Sequence, residues 1–237
     1  MSAATQTLLP ETHDWLTDTS WFTDRGSTMS IVFTPDFSRV LIGWSFKAEM
    51  FKHPCGKIEP KDFSLGPNTP EETYVRVCGL RELGRETFPE VVDNLLLYQP
   101  LRYQRPIKKT GPDGKPFVVT QYHHVGILKE EIPLYGRNTE HEEMDVPEYW
   151  SPYEVLRLDR VIDNPELDNK TNKKVNPFHQ LAFAHCLLQL RQELKDTIPD
   201  FSRMWANLAR VPMGNGKAVD VYDYVGDLRA MISKRII

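Results

Sequence analysis

The sequence predicts an α/β domain followed by helices, on three observations. Short runs of alternating apolar and polar residues lie on both sides of residues 69–88, within which Thr69, Pro70 and Glu72 mark the start of a long helix. A turn signal, Pro112-Asp113-Gly114, sits inside the later alternating run. Apolar residues at helical spacing then recur from Asn176 onward.

Composition narrows the function classes. A chain of 237 residues that is 40% hydrophobic and 26% charged can bury a substantial core. A net charge of -4 offers no general attraction to nucleic acid. Three scattered cysteines, Cys55, Cys78 and Cys186, make neither a disulfide framework nor a zinc site, which points to a reducing compartment, the cytoplasm or the nucleus. No apolar stretch approaches the roughly 20 residues of a membrane span, and the first residues lack a secretory pattern. The expected organisation is an N-terminal arm over residues 1–19, a domain over 20–160, and a linker with C-terminal helices over 161–237 that packs on it.

The elements follow in order. The arm is expected to pack through Trp15, or through Trp21 and Phe22. Met29, Ile31 and Phe33 alternate with Ser30, Val32 and Thr34, and Val40-Leu41-Ile42 follows a turn at Pro35-Asp36, which reads as two strands. In the helix Thr69 is the expected N-cap and Pro70 the first helical residue, with Glu72 completing a capping box. Helical residues advance by about 100°, so Glu82 and Glu86 stand only about 40° apart, while Leu80 and Leu83 point toward a core. Paired carboxylates on a rigid helix suit a hard divalent cation such as Mg²⁺. They also suit a plain solvated face.

Residues Val91 to Leu128 read as a long hairpin, with Arg102, Arg105, Lys108, Lys109 and Lys115 forming a basic arm. Arg102 and Tyr103, nearer the sheet, are candidates for a pocket. His123 and His124 face opposite sides of a strand and so form no joint metal site. An acidic stretch with Glu142 and Glu143 precedes Trp150 and a short helix capped by Ser151. A helix opens at Asn176-Pro177 and runs to Asp196, a second spans Ser202 to Arg210, and a last one starts at Val221. These helices are left to cover the sheet, form a homodimer contact, or close a lid.

The stretch from His53 to Phe88 resembles the signature of the Nudix family of diphosphate hydrolases: Gly, five residues, Glu, seven residues, then Arg-Glu-hydrophobic-x-Glu-Glu-x-Gly-hydrophobic. Gly56 matches the first glycine, with Lys57 to Pro60 similar to the sequence common there, and Asp62 stands for the first glutamate. Arg81, Glu82, Leu83 and Glu86 match the core. Eighteen residues separate Asp62 from Arg81 where the family has seven, an excess of eleven. Arg85 replaces the first acid of the glutamate pair, and Phe88 the closing glycine. The box is degenerate.

The resemblance implies an α/β/α sandwich with a mixed sheet and a Mg²⁺- or Mn²⁺-dependent hydrolase acting on a small-molecule diphosphate. Glu82 and Glu86 would hold the metal, with Asp62, the Cys55 carbonyl and one of Glu142 or Glu143 assisting, and Arg81 would orient a catalytic carboxylate. Lys57, Arg85, Arg102 and Tyr103 are the candidate substrate contacts. Arg85 has two readings: it weakens metal binding by pairing with Glu82, or it grips a phosphate directly. The substrate range of the family includes capped RNA. The competing expectation, from another class, is a Nudix-like domain that has lost hydrolysis and binds a ligand or a protein, or one that performs altered chemistry on an unusual metabolite.

Overall fold

In a computed structural model, residues 19–134, 144–156, 170, 171, 173–193, 210–212, 218–220 and 226 are described. The strands and helices are, in order, β1 Gly26–Phe33, β2 Val40–Ser45, β3 Met50–Lys52, β4 Cys55–Lys57, α1 Glu71–Glu86, α2 Pro89–Asp93, β5 Leu95–Pro100, β6 Arg105–Thr110, β7 Pro116–Leu128, β8 Glu148–Trp150, α3 Pro152–Leu156, α4 Pro177–Glu193, β9 Arg210–Pro212 and β10 Ala218–Asp220.

Eight strands form a mixed sheet with the order β3-β2-β1-β7-β5, on which β4 pairs with β1, β6 with β7 and β8 with β2. Among the described strands, β1 pairs with β7 in parallel, in register from Gly26 opposite Thr120 to Phe33 opposite Ile127. The other pairs are antiparallel. Strand alternation sorts side chains between two faces. Met29, Ile31, Phe33, Val125 and Ile127 join Phe183, Leu187 and Leu190 of α4 in one core. Val32 and Leu128 meet Leu83 of α1 and Val91 of α2 on the other face. The sheet is therefore layered between helices, with α1 on one side and α4 on the other.

The hairpin turns at Gly114, whose φ of 76° is one that glycine adopts readily. α1 begins at Glu71, not Pro70, and Thr69 is not its cap. The Thr69 hydroxyl instead accepts the Leu65 N–H at 2.7 Å, closing the preceding turn, because that tight 3-10 loop offers a nearer donor. Phe88 ends the box in extended backbone, φ -140°, so no glycine is required there. Its side chain is partly buried against the α1–α2 core.

Trp21 and Phe22 pack edge-on to Phe63, which stacks on Tyr74, so the start of the described chain seals the loop before α1. Ser151 caps α3 in a reciprocal box with Glu154. Asn176 caps α4 through the Phe178 N–H at 3.0 Å. Arg210, expected to end a helix, opens β9, which pairs with β10 in a separate two-stranded sheet. Trp15, the rest of the expected 202–210 helix, and all of the last helix but Gly226 lie outside the described residues.

Candidate functional site

The box residues converge where β3 and β4 meet the C-terminal half of α1. On β3, Phe51 enters the α4-side core, so alternation turns Lys52 toward α1. Lys52 Nζ lies 2.9 Å from Glu86 Oε1, and the Cys55 N–H donates to Glu86 Oε2 at 2.6 Å. The Glu86 side chain is 1% exposed and that of Lys52 11%. Burial pushes the Glu86 carboxyl up, against the pull of Lys52. For Lys52 burial opposes the charge, but the neighbouring Cys55 and Glu86 side chains more than offset it and hold the ammonium above its ordinary range. Glu86 is the partner that matters, since burial pushes the Cys55 thiol up to about 11 and keeps it protonated.

One turn back, the Glu82 side chain is 7% exposed. Its Oε1 accepts from Arg81 and, at 3.0 Å, from Arg85 Nη1. A Cβ on Gly56 would lie 2.2 Å from Glu82 Cδ, so the glycine is there to let the carboxylate approach β4. Arg81 also grips Asp62 with two bonds, Nε to Oδ1 at 2.7 Å and Nη2 to Oδ2 at 2.9 Å. The Glu59 N–H donates to Asp62 Oδ2 as well. Asp62 is fully buried.

These pairs decide how a metal fits. Mg²⁺ needs several oxygen ligands at about 2.1 Å in near-octahedral array. Here the Glu82 carboxylate faces two guanidinium groups, that of Glu86 an ammonium and an amide, and that of Asp62 Arg81 and an amide. Among the described residues no group of three or more His, Cys, Asp or Glu side chains is placed to hold a metal. The described donors do not fit a Mg²⁺ or Mn²⁺ centre. Glu142 and Glu143 lie outside the described residues.

In front of these pairs lies a pocket of about 430 Å³ lined by Ser27, Lys47, Lys52, Cys55, Gly56, Lys57, Glu59, Glu82 and Arg85. Four cationic side chains thus face two carboxylates. Of the four cations, Lys47 and Lys52 are the ones that sequence reading missed, as it missed Ser27 and Glu59 among the other lining residues. The signal for Lys52 was a lysine beside Phe51, only four residues before the box glycine. A larger cavity of about 510 Å³ lies along the N-terminal half of α1, against Tyr122 and His124, and its lining includes neither Glu82 nor Glu86.

Arg102 and Tyr103, expected as substrate contacts, are not among the residues lining the pocket of the box. Arg102 is 76% exposed and pairs with Glu193 of α4 at 2.6 Å. Tyr103 stacks on His185 with ring centroids 4.0 Å apart, and on His123, held by the α4 side of the sheet. Of the basic arm, Lys109 pairs with Asp24 and Arg105 lies 3.4 Å above the Phe178 ring, while Lys115 meets Asp113 at the exposed hairpin tip.

The arrangement is an α/β/α domain with an ion-paired carboxylate helix behind a cationic pocket. No family model matches the chain, and no curated protein does. Among solved structures it is similar to the Escherichia coli dihydroneopterin triphosphate pyrophosphohydrolase, at 11% identity over 62% of this chain and 91% of that one, TM-score 0.39. It is similar to the NUDIX domain of Shewanella oneidensis NrtR complexed with ADP ribose, at 14% identity over 60% and 84%, TM-score 0.36. A Caenorhabditis elegans Ap4A hydrolase is matched at 11% identity over 55% and 82%, TM-score 0.33.

Proposed function

We propose that this chain binds a small molecule carrying a diphosphate in the pocket between β4 and α1, as a Nudix-like domain whose box recognises its ligand without a metal centre. The observation that carries the reading is the lining: Lys47, Lys52, Lys57 and Arg85 converge on one concave site with Glu59 and Glu82. Diphosphate oxygens match such a site, because ammonium groups act as point charges and a guanidinium presents a fork of parallel donors.

A second reading, metal-dependent diphosphate hydrolysis, is favoured by one specific feature. Glu82 and Glu86 remain one turn apart, on one face of a rigid helix. For hydrolysis a divalent ion would have to displace Lys52 and Arg85 from carboxylates they already neutralise.

One calorimetric experiment separates the two. Pyrophosphate, ADP-ribose and diadenosine tetraphosphate are titrated in EDTA and again in Mg²⁺, with cleavage products (phosphate from pyrophosphate, phosphomonoesters and nucleotides from the other two) followed in parallel by chromatography. Saturable binding in EDTA without cleavage is the expected result. Binding or cleavage that depends on Mg²⁺ replaces this reading with the hydrolase, and silence in both conditions removes both.

A further inference from the structure

We propose that Lys52 is a built-in cation: its ammonium takes the position of a divalent ion, neutralising Glu86 behind it and presenting positive charge to a phosphate in front. The inference rests on the pocket being a phosphate site, and deepens that reading by making recognition independent of metal.

Four observations carry it. Lys52 is a nearly buried lysine on a three-residue strand, and its neighbour Phe51 is core. Its Nζ contacts Glu86 at 2.9 Å and lies 3.6 Å from Cys55 Sγ, and the same residue lines the pocket. Lys52 therefore both contacts the helix carboxylate and borders the ligand space. Glu86 gains its second bond from the Cys55 N–H, so β4 backbone and Lys52 together satisfy both carboxylate oxygens. Arg85, where the family signature has an acid, repeats the device on Glu82 at 3.0 Å.

The consequence is an exclusion. A divalent ion entering this box would meet the charges of Lys52 and Arg85, and would leave Lys52 without its carboxylate in a buried place, which is costly. Removing the two cations should uncover a latent oxygen-ligand site.

The test uses Mn²⁺ alone, by electron paramagnetic resonance and by thermal shift, on the full chain without any phosphate ligand. The wild type is expected to show no binding that Glu86→Gln alters. The variant Lys52→Met with Arg85→Glu, in which methionine keeps most of the aliphatic stem, is expected to bind Mn²⁺ at least about tenfold more tightly than the wild type. Adding Glu86→Gln should remove that gain. Should the double variant fail to fold, Lys52→Gln with Arg85→Glu, which keeps a hydrogen-bond donor for Glu86, serves in its place. Wild-type Mn²⁺ binding that Glu86→Gln abolishes overturns the proposal, as does a folded variant with no gain. A failure of pyrophosphate to bind in EDTA would sink the ligand reading instead, and the Mn²⁺ result would remain informative about the box itself.

Discussion

Arg81 and Asp62 form a bidentate pair that ties the turn before α1 to the middle of that helix, with the Asp62 side chain 0% and the Arg81 side chain 16% exposed. Burial opposes the Arg81 charge, and Asp62 and Glu82 restore it and hold the guanidinium above its ordinary range. Removing one partner of a buried pair leaves the other charge uncompensated, at a cost of about 3–5 kcal/mol. Asp62→Ala is therefore expected to lose about 3 kcal/mol, since Arg81 keeps Glu82 and a longer contact to Glu59. Urea denaturation measures this. A loss below about 1 kcal/mol would show that those two acids suffice and that Asp62 is replaceable.

Lys57 and Arg102 make a matched pair of substitutions. Lys57 lines the pocket, whereas Arg102 is spread on the α4 side with Glu193. Lys57→Ala is expected to weaken diphosphate binding about tenfold, a change of about 1.4 kcal/mol. Arg102→Ala is expected to leave it unchanged and to move stability by less than about 1 kcal/mol, as exposed ion pairs do. Equal losses for both variants would place the ligand elsewhere, on the basic arm.

Much of this architecture was legible in the chain, because the signals were local. The alternation of Met29, Ile31 and Phe33 encodes a strand with two faces, and the Pro112-Asp113-Gly114 turn encodes the hairpin. The Glu82 and Glu86 spacing encodes a shared helix surface, since a helix repeats every 3.6 residues. What stayed illegible depends on contacts far apart in sequence. Lys52 reaches Glu86 across 34 positions, and nothing in Met50-Phe51-Lys52 marks the lysine as buried. Arg102 and Tyr103 read as pocket residues because they lie nearer the sheet than the lysines of the arm, but α4 draws them to the other face through Glu193 and His185. Thr69 shows competition at short range: a hydroxyl fit to cap one helix serves a nearer turn.

Histidines buried neutral around the sheet set the acid limit of the fold. His53 and His123 are fully buried and His124 nearly so. Burial lowers each from 6.5 to about 4, although the Leu41 and Tyr103 carbonyls beside His53 and His123 pull the other way. A base whose folded pKa lies below its unfolded value binds fewer protons when folded, so acid favours the unfolded chain. Stability from these groups is complete above about pH 6.5 and is lost progressively as pH falls toward 4, by about 1.4 kcal/mol per pH unit for each histidine. Carboxylates held below their ordinary range, such as Asp36 and Glu59, add their own loss only at lower pH. Urea midpoints at intervals from pH 7.5 to 4.5 are expected to be flat above about 6.5 and to fall steeply below it. His123→Gln should reduce that slope by about one histidine's share while lowering stability at neutral pH. A midpoint that stays level down to pH 4.5 would mean that these rings take up protons in the folded chain, and the packing of α4 over His53 and His123 and of α1 over His124 would then have to admit water.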